Sequence, residues 1–249
     1  MTLLALITAA FLTSCLTATL GLGGGVLLLL VMPGLMPLSA ILPVHAVVQT
    51  ASNTARAAFF WHEIAWHIVP PLLLGSVIGA AVGGQVVGLI NLSLLPAVSG
   101  LLILLVTWLP GLVPARGGRF ALIALGFYQT ALGMLAGATG PLGAAVLARL
   151  GRGKDWNVVN TGVYMALNHL VRSVAYALLG FTFSPWWPVI LVMAFATFVG
   201  AWLGGRIRQF VPERNFHWIF RWLITLLAIR MIALTLVEVS DTIPWQLAR

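Results

Sequence analysis

Two otherwise apolar segments of the chain hold polar side chains at spacings that could do chemistry. His45, Gln49, Thr50, Ser52, Asn53, Thr54 and Arg56 stand between Ile41 and Trp61, and Asn160, Thr161, Tyr164, Asn168, His169 and Arg172 between Val158 and Leu179. At helical spacing His45, Gln49, Ser52, Asn53 and Arg56 share one face, while Asn160, Tyr164, Asn168 and Arg172 step by four. No carboxylate lies within either stripe, the nearest being Glu63. An arginine surrounded by hydrocarbon costs roughly 2.5 to 3.5 kcal/mol on insertion scales and needs an opposite charge. Here the chain supplies none, so a bound anion would complete it. The amides of Gln49, Asn53, Asn160 and Asn168 would donate further hydrogen bonds to its oxygens. His45 or His169 can carry a coupled proton, or can stay neutral and hydrogen-bonded. The bland reading of the same residues is also open: Asn, Ser and Thr link neighbouring helices, and Arg56 snorkels from its helix end.

Glycines mark a second feature. Gly21, Gly23, Gly24 and Gly25 interrupt an apolar run from Leu3 to Met32, too many for one unbroken helix. Non-helical backbone at membrane depth is tolerated only in protein or along a cavity. The free N–H groups opening the second half-helix, Val26 to Val31, would form a partially positive pocket. Gly137, Thr139, Gly140 and Pro141 make a corresponding break further on, since proline also ends a helix interior.

The elements that must position these residues follow from composition. The chain is 61% hydrophobic and only 7% charged, with a net charge of +8, which excludes a water-soluble domain. Its basic residues sit in short clusters between apolar runs, as flanking charge that sets orientation rather than as a nucleic-acid surface. The single cysteine, Cys15, excludes an intrachain disulfide and a cysteine metal cluster. The N-terminus reads as a first membrane helix rather than a cleaved leader, having no basic residue before its apolar run.

Eight segments are long enough to cross a bilayer. They run from Leu3 to Met32 (broken), Ile41 to Trp61, Ile68 to Leu89, Leu94 to Leu109, Phe120 to Leu147 (broken), Val158 to Leu179, Trp187 to Gly205 and Phe216 to Val237. Counting each as one crossing puts seven basic loop residues on one side and three on the other, so the termini are expected outside the cytoplasm. Internal matches recur: Gly21 and Gly24 with Gly137 and Gly140 at 116 residues, His45 and Asn53 with Asn160 and Asn168 at 115, and Gly79 to Gly84 with Gly200 to Gly205 at 121. The chain therefore reads as an all-α polytopic membrane protein of two four-helix repeats, 1–112 and 113–249, both expected to point the same way because four is even. The Gly79/Gly83 and Gly200/Gly204 pairs are small-xxx-small packing patterns.

Gly21-Leu-Gly-Gly-Gly25 with its apolar run and proline, Leu42-Pro-Val-His45-Ala, His62-Glu-Ile-Ala-Trp66, and Gly200-Ala-x-x-Gly-Gly ahead of Val211-Pro-Glu213 together resemble the sulfite exporter TauE/SafE family. The resemblance covers nearly the whole chain and implies a multi-pass permease of the bacterial inner membrane, moving a sulfur oxyanion such as sulfite or an organosulfonate, usually outward. Thr139 and Pro141 depart from the pattern, where further glycines are expected. The expected site is then Gly23, Gly24, Gly25, His45, Gln49, Asn53 and Arg56 from one half, with Gly137, Thr139, Gly140, Asn160, Tyr164, Asn168, His169 and Arg172 from the other.

The expected partners are a small anionic substrate and the lipid bilayer, with no cofactor, metal or nucleic acid. A homo-oligomer, a channel or carrier for another small anion, and proton-coupled uptake all stay open. Catalysis has no support, because Glu63, Asp155, Glu213, Glu238 and Asp241 all lie at loops or ends and no buried nucleophile stands beside a base.

Overall fold

The structure is a computed structural model that describes residues 1–20, 23–89, 92–108, 118–137, 154–207 and 216–242. Thr139, Gly140 and the expected boundary at 112/113 lie outside them. The described residues form nine α-helices and no strand: α1 (Thr2–Leu20), α2 (Gly24–Val31), α3 (Leu38–Ala58), α4 (Val69–Gly88), α5 (Leu95–Trp108), α6 (Arg119–Ala136), α7 (Lys154–Leu178), α8 (Trp187–Ile207) and α9 (Phe216–Thr242). Eight of them coincide with the eight expected segments, and α2 is the remainder of the first. The segments Thr2–Thr19, Trp66–Gly88, Arg119–Ala136 and Ser184–Ile207 are each long and apolar enough to span a membrane. Leucines, valines and phenylalanines such as Leu74, Val77, Leu191 and Phe195 stand exposed around the outside, where only lipid makes them cheap. The protein is an all-α polytopic membrane protein.

The first glycine break does more than interrupt a helix. Gly23 takes φ +100° as the N-cap of α2, a conformation that side chains with a Cβ rarely adopt, and the chain folds back on itself. Gly24 presses on the Thr13 carbonyl and the Thr17 hydroxyl, leaving no room for a Cβ. Leu27 and Val31 share a surface groove with Ala9, Ala5 and Leu4, so α2 runs antiparallel to α1. Its eight residues rise about 12 Å, well short of a crossing. Helix α3 then starts beside the chain's beginning and runs parallel to α1: the Ser14 and Ser52 hydroxyls lie 2.9 Å apart, and Ala18 clusters with Ala55. Leu3 to Met32 is thus one helix plus a re-entrant half-helix, not a single broken crossing as expected.

The contact between α1 and α3 has a counterpart 116 residues on. Thr130 accepts from Asn168 Nδ2 at 2.9 Å, the counterpart of Ser14 and Ser52, so α6 and α7 are parallel as well. In this register Arg56 corresponds to Arg172, which corrects the spacing of 115 expected for these helices.

The two halves point in opposite directions. Gly162 of α7 lies against the Asn53 carbonyl and the Arg56 side chain, whereas His169 meets His45 with ring centroids 5.5 Å apart. Residue numbers rise on one helix as they fall on the other, so α3 and α7 are antiparallel. The expectation of two halves facing the same way fails because the re-entrant return of α2 adds a reversal that a count of long apolar segments omits. The arrangement is that of inverted repeats.

The halves also interlock. Gly75 and Gly79 of α4 sit on the carbonyls of Ile123 and Phe127 of α6, and Gly200 and Gly204 of α8 sit on those of Phe11 and Cys15 of α1. Both pairs are parallel, and each joins a helix of one half to a helix of the other. The small-xxx-small patterns are therefore packing surfaces, as expected. Around α2, Leu28, Leu29, Leu30 and Met32 are fully buried and anchor the main core. Arg230 of α9 reaches the carbonyls of Leu30 and Pro33, at 3.4 and 3.3 Å, near the C-terminus of α2, where a cation is favoured.

Candidate functional site

Two helix ends and the middles of α3 and α7 converge at one depth inside the protein. The first end is the N-terminus of α2. Its first helical bond runs from Leu27 N–H to Gly23 O at 3.1 Å, and no side chain caps it. The preceding amides of Gly24, Gly25 and Val26 are the orphan donors of a helix start, at the positive end of its dipole. Gln49 lies over Gly25, and His45 Nε2 donates to the Gly25 carbonyl at 2.8 Å.

The second end is the C-terminus of α6, whose last carbonyls need donors from outside the helix. Tyr176 Oη donates to Met134 O at 2.6 Å, Ser99 Oγ to Leu135 O at 2.6 Å, and Arg172 Nη1 to Gly137 O at 2.8 Å. Gly137 turns the chain away at φ +70°, with its Cα face against Leu29 of α2. Arg172 is completely buried and its stem rests on Gly133, where a Cβ would stand 3.1 Å from Nη1. Nη1 also meets His169 Nδ1 at 3.3 Å. Nε and Nη2 have no hydrogen-bond partner among the described residues, and no carboxylate there is paired with this guanidinium. A cation so placed, with the start of α2 at the same depth, can bind an anion.

The polar stripes meet several different elements rather than chiefly each other. On α3, Ser52 meets α1, His45 and Gln49 meet α2, and Asn53 links Gln49 to Arg56, donating to the Gln49 carbonyl at 2.7 Å and accepting from Arg56 Nη2 at 2.8 Å. Arg56 is buried and does not reach the surface. On α7, a step of four residues advances slightly more than a turn, so the stripe fans out. Asn160 donates to the carbonyls of Glu63 and Trp156 and accepts from the Ala65 amide, tying down the turn after α3. Tyr164 packs among Ala65, Ile68, Leu72 and Leu125, Asn168 meets α6, and Arg172 caps it. Gly162 and His169, two α7 residues that touch α3, lie two positions and one position off that stripe.

The structure thus gathers Gly25, His45, Gln49, Gly137, His169 and Arg172, with Gly23 and Gly24 shaping the α2 end. It sets Asn53 and Arg56 further along α3, toward its C-terminal end, and Asn160 at a loop. Sequence reading missed Gly133 and Gly162, which leave space for the two guanidinium stems, and Tyr176, whose only signal is its spacing of four from Arg172.

A family model described as sulfite exporter TauE/SafE matches residues 6–231. The chain belongs to the sulfite exporter TauE/SafE family. Members of this family are membrane permeases that carry sulfite and related sulfur anions, not enzymes. No curated protein and no solved structure matches the chain. In this TauE/SafE chain the match spans α1 through most of α9 and so includes both helix ends and both arginines.

Proposed function

We propose that this TauE/SafE protein is a secondary transporter that exports a sulfur-containing oxyanion across the bacterial inner membrane by alternating access. The observation that carries this reading is Arg172, fully buried, with two guanidinium nitrogens unpartnered among the described residues. The bound oxyanion takes the place of the counter-charge, and the α2 amides donate to its remaining oxygens. An inside-negative potential of 100 mV contributes about 2.3 kcal/mol per charge to moving a monovalent anion outward, so export needs no coupled ion.

Orientation follows from charge. The face where α3 ends is also where α6, α7 and α9 begin and α8 ends, and Arg119, Lys154, Arg206 and Arg221 belong to those helix ends. Arg116, Arg149, Arg152, Arg208 and Arg214 adjoin these helix ends in sequence, which makes nine of the 13 basic residues at or next to them along the chain. That face is cytoplasmic by the positive-inside rule, and both termini are then periplasmic. Because α4 packs on α6 and α8 on α1, the bodies that rock are these interlocked pairs, not the two sequence halves.

Arg172→Gln is expected to abolish counterflow of radiolabelled sulfite in proteoliposomes while the variant still purifies as a folded protein. Flux within a factor of about two of the wild type removes Arg172 from the site.

A further inference from the structure

The two buried histidines of the site have opposite hydrogen-bonding characters, and their neighbours decide which is which. His45 Nε2 lies 2.8 Å from the Gly25 carbonyl. A carbonyl only accepts, so Nε2 carries the proton and Nδ1 a lone pair. His169 Nδ1 lies 3.3 Å from Arg172 Nη1. A guanidinium only donates, so here Nδ1 accepts and Nε2 carries the proton. Neither remaining ring nitrogen has a partner among the described residues. Both residues are at least 99% buried, and their rings stand edge to face with centroids 5.5 Å apart.

Together with Arg172 Nε and Nη2, these three side chains therefore offer three donor nitrogens and one acceptor, His45 Nδ1, without a partner among the described residues. Donors alone suit any oxyanion. A bare ring nitrogen beside them does not, because it turns a lone pair toward the lone pairs of a fully deprotonated anion, and an unpaired buried acceptor is costly. A ligand hydroxyl satisfies it.

We infer that His45 is a specificity-determining residue that selects an oxyanion still carrying an O–H group, such as hydrogensulfite, over a sulfonate or sulfinate that has none. This rests on the transport-site reading above and narrows its substrate class. In the bound state Arg172 and His169 donate to the charged oxygens, and the ligand hydroxyl donates to His45 Nδ1.

The test compares hydrogensulfite with methanesulfinate, a monoanion with the same three-coordinate sulfur and a methyl group where hydrogensulfite has its hydroxyl. Both are titrated calorimetrically into the purified full chain in lipid nanodiscs at mildly acidic pH. Hydrogensulfite is expected to bind at least about tenfold tighter, as in sites built to pair a substrate hydroxyl. His45→Phe should bring the two affinities to within about threefold, whereas His169→Phe should weaken both and leave their ratio intact. Equal affinities in the wild type, or an unchanged ratio in His45→Phe, overturn the inference. If the wild type binds neither anion, or if Arg172→Gln binds both as the wild type does, the underlying site reading fails instead.

Discussion

A guanidinium closed off from water needs an acceptor for each N–H it brings with it. Arg172 finds one in the Gly137 carbonyl, at the negative end of α6, and another in His169 Nδ1. The partial charge of the helix end holds the side chain in place without neutralising it, which leaves an arginine fixed yet still able to receive an anion. Gly133 makes this position reachable. A valine there would set its Cβ 3.1 Å from Nη1 and 3.2 Å from Cδ and push the guanidinium aside. Gly133→Val is therefore expected to weaken sulfite binding by about tenfold or more in calorimetric titration. Tyr176→Phe acts differently, because it removes the donor to the buried Met134 carbonyl. It should lower stability by about 1 to 3 kcal/mol in thermal denaturation.

At the scale of elements, α2 is a short helix that packing alone sustains. Eight residues are too few to hold a helix by propensity, and α2 persists because Leu28, Leu29 and Leu30 are buried and Arg230 reaches its last carbonyls. Its direction places the amide end inside the protein, where the site needs it. The glycine-faced pairs α1–α8 and α4–α6 bring backbone against backbone. Gly200→Ala puts a methyl group on the Phe11 carbonyl and should cost about 2 kcal/mol or more, with loss of the monodisperse peak in size-exclusion chromatography. Gly205→Ala meets nothing within 4 Å and should be neutral or stabilising by up to about 1 kcal/mol. Comparable losses from both would mean that α8 does not seat through Gly200.

For the whole molecule, the inverted arrangement has a direct consequence. The turn at Trp61–Glu63 follows α3, and the turn at Ser184–Trp186 follows α7, which is antiparallel to α3. The two turns therefore lie on opposite faces, whereas one crossing per apolar segment would place them on the same one. In a Cys15→Ala background, His62→Cys and Ser184→Cys should react with a membrane-impermeant maleimide from opposite sides of oriented vesicles. Labelling of both from one side would return the molecule to two halves facing the same way.

The eight long helices, the first glycine break and the depth of Arg172 were legible in the sequence, because hydrophobic length and glycine content act locally, whereas the burial of Arg56 was left open. The expected spacing of 115 between the polar stripes hid the equivalence of Arg56 and Arg172. Direction was not legible. An apolar half-helix of eight residues has the same hydropathy whether it continues a crossing or reverses it, and the choice rests on Gly24 seating against Thr13 and Thr17. Nor could periodicity say what a polar face looks at: it groups Asn160 with Arg172, yet one holds a loop and the other caps α6 beside His169. Which side chains share a face is set by helical repeat along the chain, whereas what that face meets is set by contacts between residues far apart in sequence, and only the packed structure decides those.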